Sequence, residues 1–152
     1  MPGPYQSPAL TVDAVWISRG RILLVRRAHY PFRGSWALPG GFVNLRETVE
    51  AAVARELREE TGLVASPRAL LGVYSGPDRD PRKPTTTVAF LMHGRARTPH
   101  GGDDAREARW VPLADANGLA FDHDRIVSDA RRWVRSHSRR ERSPRQRRTP
   151  SR

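Results

Sequence analysis

The segment Arg55-Glu56-Leu57-Arg58-Glu59-Glu60 sets three carboxylates within five residues. On a helix turning about 100° per residue, with Glu56 as origin, Glu60 lies near +40° and Glu59 near −60°, so the three acids share one side. Val49 and Val53 fall near +20° and +60° on the same count. Glu56 and Glu60 therefore occupy the sector of the apolar stripe, where a solvated charged face would not place them. Carboxylates crowded beside a buried surface repel one another and lose hydration, which a cation or strong donors must offset. Magnesium suits such a set, because it takes oxygen ligands and is typically held by one or two carboxylates together with substrate phosphates. The chain has no cysteine and no paired histidines, so zinc is poorly served. Arg55, four residues before Glu59, can orient that carboxylate by an ion pair.

These carboxylates need a helix, and the flanking residues supply one. Asn44 followed three residues later by Glu47 resembles a capping box, predicting a helix from about there to Gly62, a natural left-handed terminator. Just upstream, Trp36-Ala37-Leu38 leads into Pro39-Gly40-Gly41, which suits a tight turn or a close backbone approach. Thr11 to Ser18 and Arg21 to Arg27 flank Arg19-Gly20 in the pattern of a two-residue β-hairpin, followed by a loop from Ala28 to Ser35. Ala69 to Ser75 and Thr85 to His93 read as strands around a proline-rich loop, and Glu107 to Pro112 as a shorter one. Ile126, Val127, Ala130, Trp133 and Val134 recur at helical spacing behind a cap at Asp122. Strands, a helix, more strands and a closing helix predict a mixed α/β domain with Trp16, Trp110 and Trp133 in its core.

The 152 residues allow one domain, and 38% hydrophobic content can build its core without disulfides. Absence of cysteine excludes a disulfide scaffold and a thiol nucleophile and suits a reducing cytoplasm. Apolar runs such as Val88 to Met92 fall far short of the roughly 20 residues that span a bilayer, so no membrane partner is expected. The formal charge of +11 suggests nucleic acid until it is located. Residues 131–152 hold ten arginines against Glu141, a net of +9, which leaves +2 for residues 1–130. The expected organisation is a flexible leader over residues 1–9, a folded domain over 10–136 and a disordered arginine-rich tail over 137–152, with no more than weak polyanion contacts. Lys83 is the only lysine among 27 basic residues, so a coding bias toward arginine accounts for much of that tail.

From Gly41 to Leu63 the chain reads GFVNLRETVEAAVARELREETGL, which resembles the complete Nudix box: Gly41, five residues, Glu47, seven residues, then Arg55-Glu56-Leu57-x-Glu59-Glu60-x-Gly62-Leu63. Seven fixed identities in one register have a chance probability on the order of one in 10⁸. The resemblance implies an α/β fold, specifically a Nudix-type α/β/α sandwich with a mixed β-sheet. It implies hydrolysis of a nucleoside diphosphate linked to another group, assisted by Mg2+ or Mn2+. By the same resemblance Glu56, Glu59 and Glu60 hold the metal, the Gly40 carbonyl joins them, and Arg55 orients the carboxylates. Glu47 is either a capping partner or a further ligand. Water would be the nucleophile, with Glu59, Asp103, Asp104 or Glu107 as candidate general bases.

Pro77-Asp78-Arg79-Asp80-Pro81-Arg82, Gly102-Asp103-Asp104-Ala105 and Ala120-Phe121-Asp122-His123 are similar to a subgroup of that family acting on ADP-ribose. The reaction expected on that resemblance is ADP-ribose to AMP and ribose 5-phosphate. Arg79 or Arg82 could pair with a phosphate bidentately, or lie in a solvated loop. Tyr30, Phe32 or Tyr74 could stack the base, or serve as core and rim aromatics. Alternatives are pyrophosphohydrolysis of a nucleoside triphosphate, including an oxidised one, a ligand-sensing regulator, and an RNA-associated role carried by the tail. The regulator would need a folded segment beyond the domain. His29 and His123 have no partner at metal-ligand spacing, and homodimers are common among similar proteins.

Overall fold

Period-two and period-3.6 apolar patterns divide the chain into strands and two helices. The computed structural model describes residues 4–102 and 105–142. In chain order the elements are β1 (Ala9–Val15), β2 (Ile17–Ser18), β3 (Arg21–Arg27), β4 (Trp36–Ala37), β5 (Gly40–Phe42), α1 (Val49–Thr61), β6 (Ala65–Tyr74), β7 (Thr85–Gly94), β8 (Ala105–Pro112) and α2 (His123–Arg142), with a 3-10 turn at Leu113–Asp115.

β1 is buried on both faces because it is central to a mixed sheet of order β5-β1-β7-β6, antiparallel to β5 and parallel to β7. A second, antiparallel sheet is built on β3, with β8 along one edge and β2 and β4 dividing the other. The segment expected as one strand from Thr11 to Ser18 is therefore two, because the chain changes sheet at Trp16, whose carbonyl accepts the Leu23 N–H at 3.0 Å. The hairpin at Arg19-Gly20 forms with two turn residues, Ser18 pairing with Arg21. β6 starts at Ala65, four residues earlier than expected. It tolerates Pro67 because it is an edge strand, and its register shifts beside that residue.

The two helices cover opposite faces. α1 buries Ala52, Val53 and Leu57 against Val12, Ala14, Leu23 and Phe90, whereas α2 buries Ile126, Val127 and Ala130 against Val15, Ile22, Leu24 and Leu91. This is the α/β/α arrangement, with two sheets rather than one in the middle layer. No helix among the described residues is long and apolar enough to cross a membrane.

Two boundaries differ from expectation for local reasons. α1 begins at Val49 because Thr48 is its cap, its hydroxyl accepting the Ala51 N–H at 3.1 Å. Asn44 and Glu47 do form a turn, the Asn44 N–H donating to Glu47 Oε1 at 3.0 Å, but it precedes the helix. α2 runs to Arg142, so residues 137–142 of the expected disordered tail are helical. His137 stacks on Trp133 with centroids 3.7 Å apart, and arginines near a helix C-terminus suit its dipole. Residues 143–152 of that tail, and 1–3 of the leader, lie outside the described residues; Ala9, the last leader residue, opens β1.

Cap assignment is testable by urea unfolding. Thr48→Ala is expected to destabilise by about 1 kcal/mol, while Asn44→Ala, which keeps its backbone bond to Glu47, stays within about 0.5 kcal/mol of wild type.

Candidate active-site cleft

The two sheets part around the N-terminal half of β1 and the C-terminal end of β3, opening a cleft lined by Asp13, Arg27, Gly40, Gly41, Phe42 and Glu60, together with the 79–82 loop and the start of α2. β5 lies so close to β1 on one side and to the last turns of α1 on the other that neither of its glycines has room for a side chain. A Cβ built on Gly41 would lie 2.4 Å from the Glu56 carboxyl carbon, and one on Gly40 would lie 2.1 Å from the Val12 carbonyl oxygen. The Gly40 N–H donates to Glu60 Oε2 at 2.9 Å, which aims that carboxylate into the cleft. At the far end of α1, Gly62 takes φ 73°, as the residue types require.

Burial pushes the Glu60 carboxyl well above the usual range. The Gly40 N–H and the Arg27 guanidinium oppose this, while the nearby Glu56 and Asp13 carboxylates add to it. Arg55 handles the rest of the acidic set. It donates to Glu47 at 2.7 and 2.9 Å, to Glu56 Oε1 at 2.9 Å, to Glu59 Oε2 at 3.2 Å and to the Phe42 carbonyl at 3.0 Å. The Arg55 bond, helped by the Asn44 N–H, holds the Glu47 carboxyl down to about 2.

Among the described residues, no three histidine, cysteine, aspartate or glutamate side chains converge at metal-ligating distance. The reason is visible: Arg55 draws Glu56 and Glu59 to itself. Glu60 faces the cleft buried, crowded by the Glu56 and Asp13 carboxylates, and accepts the Gly40 N–H. An all-oxygen set with a buried, crowded carboxylate fits a hard divalent cation.

Across the cleft floor runs a network that was not expected. Asp13, 6% exposed, lies 3.3 Å from His123 Nε2 and 3.9 Å from Arg79 Nη2, and accepts the Thr87 hydroxyl at 2.6 Å. Burial alone would raise its carboxyl, but His123, Thr87 and Arg79 hold it below its ordinary value. The Leu38 N–H donates to His123 Nδ1 at 3.0 Å, which leaves the Nε2 proton facing Asp13. Arg79 forms a bidentate pair with Asp122 at 2.9 and 2.6 Å. An acid in the middle of a continuously apolar strand was the feature that could have pointed to Asp13, since unpaired charge is not buried there.

The remaining candidates divide clearly. Arg79 is neither solvated nor free to grip phosphate, being 5% exposed and committed to Asp122. Arg82 reaches the cleft but is forked onto Asp80 at 3.1 and 2.8 Å and lies over the Phe42 ring. Tyr74 is not at the cleft. It lies in the core under α2, its hydroxyl donating to Asp129 at 2.7 Å. Phe32 and Tyr30 are exposed, and Phe32 meets Phe121 of the cleft edge to face at 4.9 Å. Glu59 faces a neighbouring groove with Arg58 and Ala54. Glu107 pairs in register with Arg26, hence on the strand face opposite Val25 and Arg27, which line the cleft. It bonds Arg26 at 3.2 Å and Arg109 at 2.8 Å. Asp103 and Asp104 lie outside the described residues. Gly102, just before them, sits against the Glu59 carbonyl.

The NUDIX domain family matches residues 7–135. An ADP-ribose pyrophosphatase of Methanocaldococcus jannaschii is 47% identical over 129 residues, covering 85% of this chain and 76% of that one. The NUDIX domain of Shewanella oneidensis NrtR, solved as a complex with ADP ribose, superposes with a TM-score of 0.76 at 33% identity, covering 86% of this chain and 90% of that domain. A MutT/nudix family protein from Enterococcus faecalis superposes with a TM-score of 0.80 at 36% identity over 90% of this chain; this chain spans 65% of its length.

Two measurements test the site's electrostatics. Glu60 titrates higher folded than unfolded, so in its own contribution the folded state holds the extra proton and stability falls as pH rises from the ordinary carboxylate value of 4.5. Metal-free wild type should therefore lose more melting temperature than Glu60→Gln between about pH 5 and about pH 8, and millimolar magnesium should narrow the gap. Identical profiles would sink this account. Arg79→Ala is expected to lower stability by about 3 kcal/mol, with Arg79→Lys recovering only part, because lysine lacks the fork that holds Asp122.

Proposed function

This chain belongs to the NUDIX family, and from that premise we propose that it hydrolyses ADP-ribose to AMP and ribose 5-phosphate with a divalent metal ion, magnesium or manganese. The observation that carries the reading is the convergence of Glu56 and Glu60 on the glycine pair of β5, one carboxylate buried and aimed into the cleft. Glu60, Glu56 and the Gly40 carbonyl would hold the cation, with Glu59 completing the set once released from Arg55. When bound, such a cation neutralises phosphate oxygens, polarises phosphorus and lowers the pKa of an attacking water.

The chain's own residues do the rest. Arg55 gathers Glu47, Glu56 and Glu59 around one guanidinium and offsets their mutual repulsion, a role that a bound cation would share. Water adds to one phosphorus, the phosphoanhydride P–O bond breaks, and the leaving phosphate departs as part of AMP or ribose 5-phosphate. Glu59, 46% exposed, is the carboxylate with a path to pass the water's proton to solvent.

The enclosed part of the cleft is about 60 Å³, room for water and a cation but far below the roughly 300 Å³ of a ligand pocket. The nucleoside therefore lies along the rim, where Phe121 and Phe32 present ring edges for stacking, the Phe42 ring being taken by Arg82 and Lys83. Arg27 contributes the guanidinium nearest Phe121, 4.9 Å above its ring.

Phosphorus NMR of the products tests the proposal. AMP and ribose 5-phosphate should accumulate from ADP-ribose with magnesium, with solvent 18O entering one product, and Glu60→Gln should lower kcat by at least about 100-fold. Faster cleavage of nucleoside triphosphates to monophosphate and pyrophosphate would keep the chemistry and overturn the substrate.

A further inference from the structure

The end of the molecule opposite the cleft carries a different surface. The hairpin tip supplies Arg19 and Arg21, and the segment after β7 supplies Arg95 and Arg97. Together with Trp110 of β8 these line an open groove of about 850 Å³. β3 connects the two sites: Arg21 at its start lines the groove and Arg27 at its end lines the cleft, about 20 Å apart on an extended strand.

Among the described residues no acidic side chain lines this groove, and no carboxylate lies within 4 Å of the Arg19, Arg21, Arg95 or Arg97 guanidinium groups. Arg21 makes one long bond, to the Trp110 carbonyl at 3.4 Å. Arg109 also reaches the groove, but its guanidinium pairs with Glu107 at 2.8 Å and lies over Trp36. The contrast with the cleft is sharp, because Arg79 and Arg82 there are each forked onto an aspartate. Arg19 takes φ 50° at the tip of the hairpin, a conformation that asparagine or glycine adopts at less cost.

We propose that this groove binds a single-stranded nucleic acid through its phosphate backbone. Four guanidinium groups along one concavity, with no carboxylate partner among the described residues, match successive phosphates, which is the electrostatic footprint of a polyanion site. Trp110, half-buried against the core and edge-on to Trp16 at 5.2 Å, forms the aromatic wall of the groove, on whose open side a base can stack. Its indole N–H is tied to the Arg97 carbonyl at 2.8 Å, so the ring and the basic segment are held in one arrangement. A concave, charged groove without an apolar insertion surface suits a strand rather than a flat bilayer. The site is independent of the hydrolytic reading, since none of its residues lines the cleft.

The test is fluorescence anisotropy of the full chain with a fluorescein-labelled oligouridine, titrated in increasing salt. Arg95→Gln with Arg97→Gln should weaken binding roughly tenfold or more at about 50 mM salt and reduce the slope of log affinity against log salt by about 1.4, at about 0.7 per contact for a single strand. ADP-ribose turnover should be unchanged. Should that pair fold poorly, Arg19→Asn with Arg21→Gln reads the same quantity, as asparagine suits the turn. Wild-type affinity and slope in both double variants overturns the proposal, with Arg135→Gln and Arg139→Gln then locating the binding on α2. Equal loss of binding to phosphatidylserine vesicles and oligouridine, with vesicles the tighter ligand in wild type, also overturns it in favour of a membrane surface.

Discussion

One buried carboxylate organises this molecule. Glu60 lies out of solvent within the field of Glu56 and Asp13, and a like-charge cluster of that kind stays folded only with donors and counter-charges supplied from several directions. Each supplier is a separate element. β5 approaches without side chains so that its Gly40 N–H can reach the carboxylate. Arg55 draws Glu47, Glu56 and Glu59 away on the outer side of α1. The floor supplies His123 and Arg79 to Asp13. The bare glycine pair, the angular placement of the acids and the contact between α2 and β1 are all consequences of keeping this charge inside.

The same accounting limits what the cleft arginines can do. Arg79 and Arg82 have the fork geometry suited to phosphate, yet both are held by aspartates, Arg79 at 5% exposure. They set the shape and potential of the floor instead of offering free guanidinium groups. In the proposed reaction, phosphate neutralisation would fall instead to the cation held by the α1 carboxylates. The uncommitted arginines stand at the other end of the sheets, so the protein separates a site where positive charge is consumed from a surface where it is displayed.

Residue types and local spacing made the helix legible. The angular count put Glu56 and Glu60 on the buried side of α1, and the Gly40 bond and the Gly41 approach are where that count pointed. The two-residue hairpin and the Gly62 terminator depend on neighbouring residues alone, which is why they too were readable. The floor network was not, because its members are distant along the chain: Asp13 meets Thr87 and His123, and Arg79 meets Asp122. His123 was judged by metal-ligand spacing, whereas its partners are a backbone N–H and a strand acid. Tyr74 could stack a base or join the core on sequence alone, and it joins the core because the face of β6 that meets α2 is set by pairing with β7. The cap misplacement is local but subtle: Glu47 does bond the Asn44 N–H, yet its carboxylate is also claimed by Arg55, and Thr48 starts the helix.

The parallel pairing of β1 with β7 has a temporal side. Ala9 pairs with Thr85 and Val15 with Leu91, so the strand carrying Asp13 has no partner on that edge until most of the domain exists. Closing a loop of that length is entropically slow relative to forming α1 or the hairpin. In order of synthesis α1 and its glycine pair precede β7, and until β7 is made β1 is a largely apolar strand with an unpaired edge. Its central aspartate keeps that exposed strand from being uniformly apolar. The charge that His123 and Thr87 hold in the finished cleft is thus the same one that interrupts this strand's apolar run in the unfinished chain.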